Sequence, residues 1–303
     1  MSNVLWRDIR STLRRNDGIV YQLLIALITV FVLLHLARLP AFLMNHSFDL
    51  NMLLRHIALP AALPELLHRP WTVITYAFTH VNLLHLLFNA LMLFWFGKLL
   101  CEFVGPRLLL PLFIGGALAG ALFFLAAYNL MPALVPRRES TQLIGASAGA
   151  MAVMVAAATL VPDYMMFLLL FGAVRIKWIA VALLLLSLIA LPGPNSGGQF
   201  AHLGGALTGF LYIRLLQRGW DPVERLLSPF RNLTVRRRRR QVIPISQSRN
   251  WRKSFAHPPA SDVQSREDRL NRILDKISAS GYDALSNDEK EFLRHYSEET
   301  ERP

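Results

Sequence analysis

Four side chains able to do chemistry stand in three short strings inside otherwise apolar sequence: His85-Leu-Leu-Phe-Asn89, Gly145-Ala-Ser-Ala-Gly149 and Ala201-His-Leu-Gly-Gly205. A serine hydroxyl is a poor nucleophile until a neighbouring base takes its proton. Ser147 is the candidate nucleophile and His202 the candidate base, because a neutral imidazole suits both an apolar setting and proton abstraction near neutral pH. An oxyanion formed by attack needs preorganised donors. His85 and Asn89, spaced i, i+4, share one helix face and can donate together, and the Ser147 backbone N–H is a third candidate. No acidic residue stands at the level of His202, so the pattern is a dyad rather than a triad. Each piece also has an ordinary role. A serine in a Gly/Ala-rich helix commonly bonds the i−4 carbonyl, a lone buried histidine is commonly a core residue, and Gly-x-Ser-x-Gly is a short string. The three strings together are more specific than any one.

The elements that must position these residues are membrane spans. Hydrophobic residues make up 53% of the 303-residue chain and charged residues 17%, a balance shifted from soluble domains toward lipid. Apolar runs predict six spans, at about 19–37, 82–101, 108–128, 143–161, 174–192 and 200–216. Polar side chains inside such spans are costly and default to function. With both termini on one side, spans two, four and six enter from the same outer face, and counting about 1.5 Å per residue puts the four side chains at one level. Gly145 and Gly149 are spaced four apart on the fourth span, as are Ala201, Gly205 and Gly209 on the sixth. Such faces let helix backbones approach within reach of a short serine and a histidine.

The 40-odd residues between the first two spans hold Pro40, Pro60, Pro64 and Pro70 among apolar side chains. This predicts short helices lying in the membrane interface, and a connection that long is usually functional. The net charge of +12 is concentrated: Arg7, Arg10, Arg14 and Arg15 precede the first span, and Arg236–Arg240 follow the last. Arginine clusters beside spans mark the cytoplasmic side, and next to a membrane the natural partner of Arg236–Arg240 is anionic lipid headgroups rather than nucleic acid. Ile19 to Ala37 is too long for a signal-peptide core and no small-residue cleavage site follows, so it reads as a retained span. The one cysteine, Cys101, excludes an internal disulfide. Residues 217–260 read as a basic, disordered linker. In 261–303, Leu270, Ile273, Leu274 and Ile277 predict an amphipathic helix, Gly281 its end, and Ser286-Asn-Asp-Glu289 a capping box that starts a second helix with Phe292, Leu293 and Tyr296. The organisation is therefore a basic N-terminus (1–18), an all-α six-helix membrane domain (19–216), the linker, and a small cytosolic helical hairpin.

These residues resemble the rhomboid family. The matching pieces are His85 and Asn89, Gly145-Ala-Ser147 and Ala201-His-Leu-Gly-Gly205, in the family's order on the second, fourth and sixth spans, with Trp71 resembling a Trp-Arg element of the long first loop. The resemblance covers about residues 19–216, and the C-terminal hairpin is similar to an appendage of some bacterial members. It implies a six-helix bundle with an outward water-filled cavity, allowed at this depth because protein encloses it. It also implies cleavage of transmembrane protein substrates, with Ser147 as nucleophile, His202 as general base, His85 and Asn89 as oxyanion-hole donors, no cofactor, and a place in the bacterial inner membrane. His80 is expected to be structural or to orient the site. The chain departs from the family's pattern at Thr72, where the arginine after Trp71 would stand. It departs again at Ala148, where glycine usually follows the serine, and at Met151, where an aromatic often stacks on the histidine. Two other functions fit parts of the pattern: an inactive rhomboid-like protein that binds membrane segments, and a metal or haem site on His80, His85 and His202. The second leaves Asn89 and the Gly-flanked Ser147 without a role.

Overall fold

The computed structural model describes residues 17–37, 39–43, 50–168, 172–225, 260–286 and 288–293. The arginines at 7, 10, 14 and 15, Arg236–Arg240, most of the linker, and Tyr296 lie outside the described residues. The chain divides into two compact units, 1–237 and 238–303.

The first unit is built on α1 (Gly18–Leu36), α2 (Leu83–Val104), α3 (Leu109–Leu130), α4 (Ser147–Leu160), α5 (Ile176–Ile189) and α6 (Ser196–Gln217). Gly18–Leu36, Leu83–Val104 and Pro106–Leu130 are long and apolar enough to cross a membrane. A Gly105-Pro106 step separates α2 from α3: Gly105 has φ 85°, and Pro106 opens the turn into α3. Burial sorts the helices by role. In α4 every residue from Ala148 to Ala158 is buried, which makes it the central helix. In α1 one side holds buried Val20, Leu23 and Leu27, while Ile25, Ile28, Val32 and Leu33 point outward, as a helix facing lipid should. In α5 only Ile176, Ala180 and Ser187 are buried.

Two helices begin elsewhere than the apolar runs suggest. The fourth starts at Ser147 rather than 143, because Gly145 sits at φ 116° and breaks the chain just before it. The sixth starts at Ser196 rather than 200, capped by the Asn195 side chain. Counted from its helix start, Ser147 is first and His202 seventh, so equal counts are not what aligns them.

The chain is not all-α. Leu59–Pro60 (β1) pairs antiparallel with Gln142–Leu143 (β2), and Met165–Leu168 (β3) with Gly172–Arg175 (β4). The first pair ties the long loop to the segment entering α4. That loop is a string of short helices, Leu39–Leu43, Leu50–Ile57, Leu63–His68 and Thr72–Thr75. Trp71 Nε1 donates to the His56 carbonyl at 2.8 Å and Thr75 Oγ1 to that of Ile57 at 2.7 Å. Thr72 is fully buried. A guanidinium does anchor the loop, but from Arg69, which bonds the Arg55 carbonyl and the Glu65 carboxylate.

The second unit holds α7 (Ala260–Ser280), which ends at Gly281 with φ 81°, and residues 288–293 are helical again. Ile273 and Leu285 are buried here, whereas Leu274 is exposed, so the apolar stripe is narrower than its spacing suggests. The capping box is formed in both directions, Glu289 N–H to Ser286 Oγ at 3.3 Å and Ser286 N–H to the Glu289 carboxylate at 2.8 Å. The Lys276 ammonium bonds the same carboxylate at 2.9 Å. Lys276 first, and then the Ser286 N–H, pull Glu289 from its ordinary 4.5 down to about 2. A carboxyl group lowered on folding stabilises above its ordinary value, and that contribution is lost as the pH falls from there through the folded value. The Ser286 amide resonance should therefore titrate with a midpoint near 2. It should stop titrating in Glu289→Gln, and a midpoint at the ordinary carboxyl value would show that the clamp does not form.

Candidate active site

The segment that delivers Ser147 is held by backbone and side chain together. Behind the β1–β2 pair, the Ala61 N–H donates to the Thr141 carbonyl at 3.0 Å and the Gly145 N–H to that of Tyr76 at 2.9 Å. The Ala146 N–H donates to Nε2 of His80 at 3.1 Å. Tyr76 is itself pinned, its hydroxyl donating to the Ala117 carbonyl on α3 at 2.6 Å. Ser147 then takes the first position of α4, where an N–H has no intrahelical acceptor and the helix dipole is positive.

His80 is fully buried. Burial first, and then the neighbouring His85, lower it to about 4, against an opposing pull from the Phe78 backbone. It is therefore neutral, and its acceptor nitrogen Nε2 takes both the Ala146 N–H and the Asn89 amide, the latter at 3.2 Å. Nδ1 then carries the hydrogen and is the ring nitrogen left to face the Phe78 backbone, the source of that opposing pull.

His85 is the third residue of α2, which is capped by Asn82 accepting from the Leu84 and His85 N–H groups at 2.8 and 3.2 Å. Its ring packs edge to face on His80, with centroids 5.0 Å apart. It also covers Gly145, where a Cβ would stand 2.6 Å from Cε1 and 2.9 Å from Nε2. Gly145 thus serves the site through its positive φ and this contact, not as a face of the fourth helix. Asn89 is buried, and its amide donates to the His85 carbonyl at 2.8 Å as well as meeting His80. Both of its donors are engaged. To reach an oxyanion it would have to release one.

His202 comes to α4 through glycines. A Cβ on Gly205 would lie 2.0 Å from the Ala148 carbonyl oxygen, and one on Gly209 2.2 Å from that of Ala152. The α4–α6 contact is therefore glycine on α6 against alanine backbone on α4. Gly149 plays no part in it, because it faces α3, where its Cβ would meet the Phe113 ring at 2.4 Å. Gly120 of α3 completes the junction: a Cβ there would stand 2.5 Å from the Ala148 Cβ and 3.0 Å from the Ala201 carbonyl. The methyl that Ala148 adds beside the serine is thus accommodated by a glycine on the next helix. Ser147 and His202 are each one residue from this three-helix contact. Met151, one turn on, is buried in the core.

Among the described residues no hydrogen bond joins Ser147 to His202; the imidazole Nδ1 instead meets the Ser187 hydroxyl of α5 at 3.1 Å. Such bonds are often long until a substrate tightens the site. The sequence reading missed Ser187, although it is the one hydroxyl in the Ile176–Ile189 run and 5% exposed. No cluster of three or more His, Cys, Asp or Glu able to hold a metal occurs among the described residues.

The sequence model described as Rhomboid domain matches residues 67–219, and a family of unknown function, DUF6576, matches 261–299. The RHOMBOID-like protein 12, mitochondrial, of Arabidopsis thaliana is 29% identical over 157 residues, 49% of this chain and 47% of the relative. The Rhomboid-like protein 16, chloroplastic, of the same plant is 32% identical over 124 residues, 41% and 35% of the two chains. Rhomboid-like protein 17, chloroplastic, is 24% identical over 229 residues, 70% and 65%. The chain spans less than half the length of the first two relatives. The rhomboid match takes in every residue of the junction just described, from His80 to Gly209, and covers half of the chain: this is a multi-pass membrane protein that belongs to the rhomboid family.

Proposed function

We propose that the chain is an intramembrane serine endopeptidase that cleaves transmembrane segments of other proteins. In this reading Ser147 Oγ attacks the scissile carbonyl while His202 Nε2 takes its proton, and the same nitrogen returns the proton to the leaving amine. The Ser147 N–H at the positive end of α4 and the His85 side chain stabilise the oxyanion. Asn89 contributes by holding His80 and the His85 backbone, and joins the oxyanion if it releases one of those bonds. The observation that supports this reading best is the junction of Gly120, Ala148, Ala201 and Gly205. It brings the turn bearing His202 against the first turn of α4, beside the loop that His80 fastens.

The architecture proposed with it has six crossings. It includes the shorter α4 and α5, the outward cavity, the long first loop in the interface, and residues 261–303 as a cytosolic helical hairpin. Both termini face the cytoplasm of a bacterial cell, with Arg236–Arg240 on anionic headgroups. The curated relatives are named as mitochondrial or chloroplastic; the orientation rests on the arginine distribution, and the bacterial compartment on the likeness of the C-terminal hairpin to an appendage of bacterial members.

A fluorophosphonate should label the purified full-length protein at Ser147, located by peptide mass, at a rate that collapses in His202→Ala. Absence of labelling, with cleavage also absent, would favour the rival reading of an inactive rhomboid-like protein that binds membrane segments. In cells, a reporter enzyme that folds only outside the cytoplasm should stay inactive when fused after residue 303, and activity would reverse the orientation.

A further inference from the structure

We propose that Ser187 is a positioning residue that sets the tautomer of His202; the proposal rests on the protease reading for its consequence but not for its geometry. Its hydroxyl lies 3.1 Å from His202 Nδ1. Along α5 the buried positions are Ile176, Ala180 and Ser187, one stripe of a 3.6-residue helix. Two of the three are apolar. The third, 5% exposed, places a polar oxygen in a stripe that otherwise buries apolar groups, and the imidazole is its hydrogen-bond partner.

Which partner donates follows from the base's task. To take the Ser147 proton, Nε2 must be unprotonated, so Nδ1 carries the hydrogen and donates it to Ser187 Oγ. During attack the Ser147 O–H bond breaks, its proton moves to Nε2, and the ring becomes imidazolium with Nδ1–H still bonded to Ser187. On collapse of the tetrahedral adduct the Nε2 proton leaves with the amine. Ser187 neither gains nor loses a proton at any point. It holds the ring plane and keeps the working nitrogen free, a role for which this dyad has no carboxylate.

The test compares Ser187→Thr with Ser187→Val, which match in shape and differ in the hydroxyl, alongside Ser187→Ala, all in the full chain. The fluorophosphonate labelling rate of Ser147 should fall about 10- to 100-fold in the Val and Ala variants, the span of one hydrogen bond to a charged group. The Thr variant should recover most of it. A role in packing alone would leave Thr and Val alike, and equal rates for them, or a wild-type rate for Ala, would overturn the proposal. Nitrogen-15 spectra of the His202 ring give an independent readout. The wild-type neutral ring should be protonated at Nδ1, and Ser187→Ala should shift population to the Nε2–H form. A ring already protonated at Nε2 in the wild type overturns the assignment. If the wild-type chain shows the Nδ1–H ring yet never labels, the protease reading fails while the Ser187–His202 pairing stands.

Discussion

Ser147→Ala should lower cleavage of a reconstituted membrane segment by about 10³-fold or more, the scale on which removal of a nucleophile from a Ser–His site acts. Its thermal transition should barely move. Ser147 is half-buried at the first position of α4, its hydroxyl holds nothing among the described residues, and alanine suits a helix whose next residues are alanine and glycine. His202→Ala should cost activity on the same scale, and the double variant little more than either alone, because two groups serving one step are not additive. Stability separates the two. Removing the imidazole strips the buried Ser187 hydroxyl of its partner, a penalty of about 1–3 kcal/mol, and opens a cavity. His202→Ala should therefore melt lower than Ser147→Ala, and Ser187→Ala in the same chain should recover part of the difference. Purified Ser147→Ala protein that retains a tenth of wild-type turnover would sink the nucleophile assignment. Equal melting of the two variants would argue against the Ser187 contact.

What the sequence discloses about this site, and what it conceals, follows from the range of each interaction. Helices α1, α2 and α3 are visible because stretches of about twenty mostly apolar residues have few other destinations. The Ala and Gly content of α4 and α6 announces close helix packing, and Ala148 to Ala158 are indeed all buried. The start of α4 is hidden, since a two-residue strand such as Gln142–Leu143 is too short for any periodicity and its partner at Leu59 lies some eighty residues upstream. That missing strand shifted the expected helix start by four residues and gave Gly145 a place on a helix face it does not occupy. The spacing i, i+4 put His85 and Asn89 on one face correctly. It could not show that both Asn89 donors are engaged by His80 and the His85 carbonyl. Ser187 was concealed by its setting, one hydroxyl in a leucine run whose meaning appears only when α6 brings His202 against it. The glycines were read by spacing alone. Gly205 and Gly209 face α4 as such spacing implies, whereas Gly149 turns to Phe113 on α3, because the repeat states that a helix is near and not which one.

After the dyad itself, the α4–α6 contact should matter most, and Gly205→Ala tests it with a single methyl. The added Cβ would stand 2.0 Å from the Ala148 carbonyl oxygen and 2.8 Å from its carbon. Those are backbone atoms at the start of a helix and cannot rotate away, so relief requires α6 and α4 to part by more than 1 Å, against an ordinary contact of about 3.5 Å. Overpacking of this kind costs about 1–3 kcal/mol in a tight interior. Alanine's higher helix propensity returns about 1 kcal/mol at most. The larger effect falls on chemistry, since His202 rides on α6 three residues from the clash and Ser147 is the neighbour of Ala148. A displacement near 1 Å between base and nucleophile can cost about 100-fold. Gly205→Ala should therefore lower the Ser147 labelling rate by about that factor with a modest fall in melting temperature, so that activity is lost well before the fold. Gly115→Ala on α3 is the control: its Cβ would meet only the Thr208 methyl, at an ordinary 3.7 Å, and that variant should keep its rate and melt no lower than wild type. If Gly205→Ala keeps labelling within threefold of wild type, close approach of α4 and α6 is not what brings His202 to Ser147, and the geometric support for the dyad falls with it.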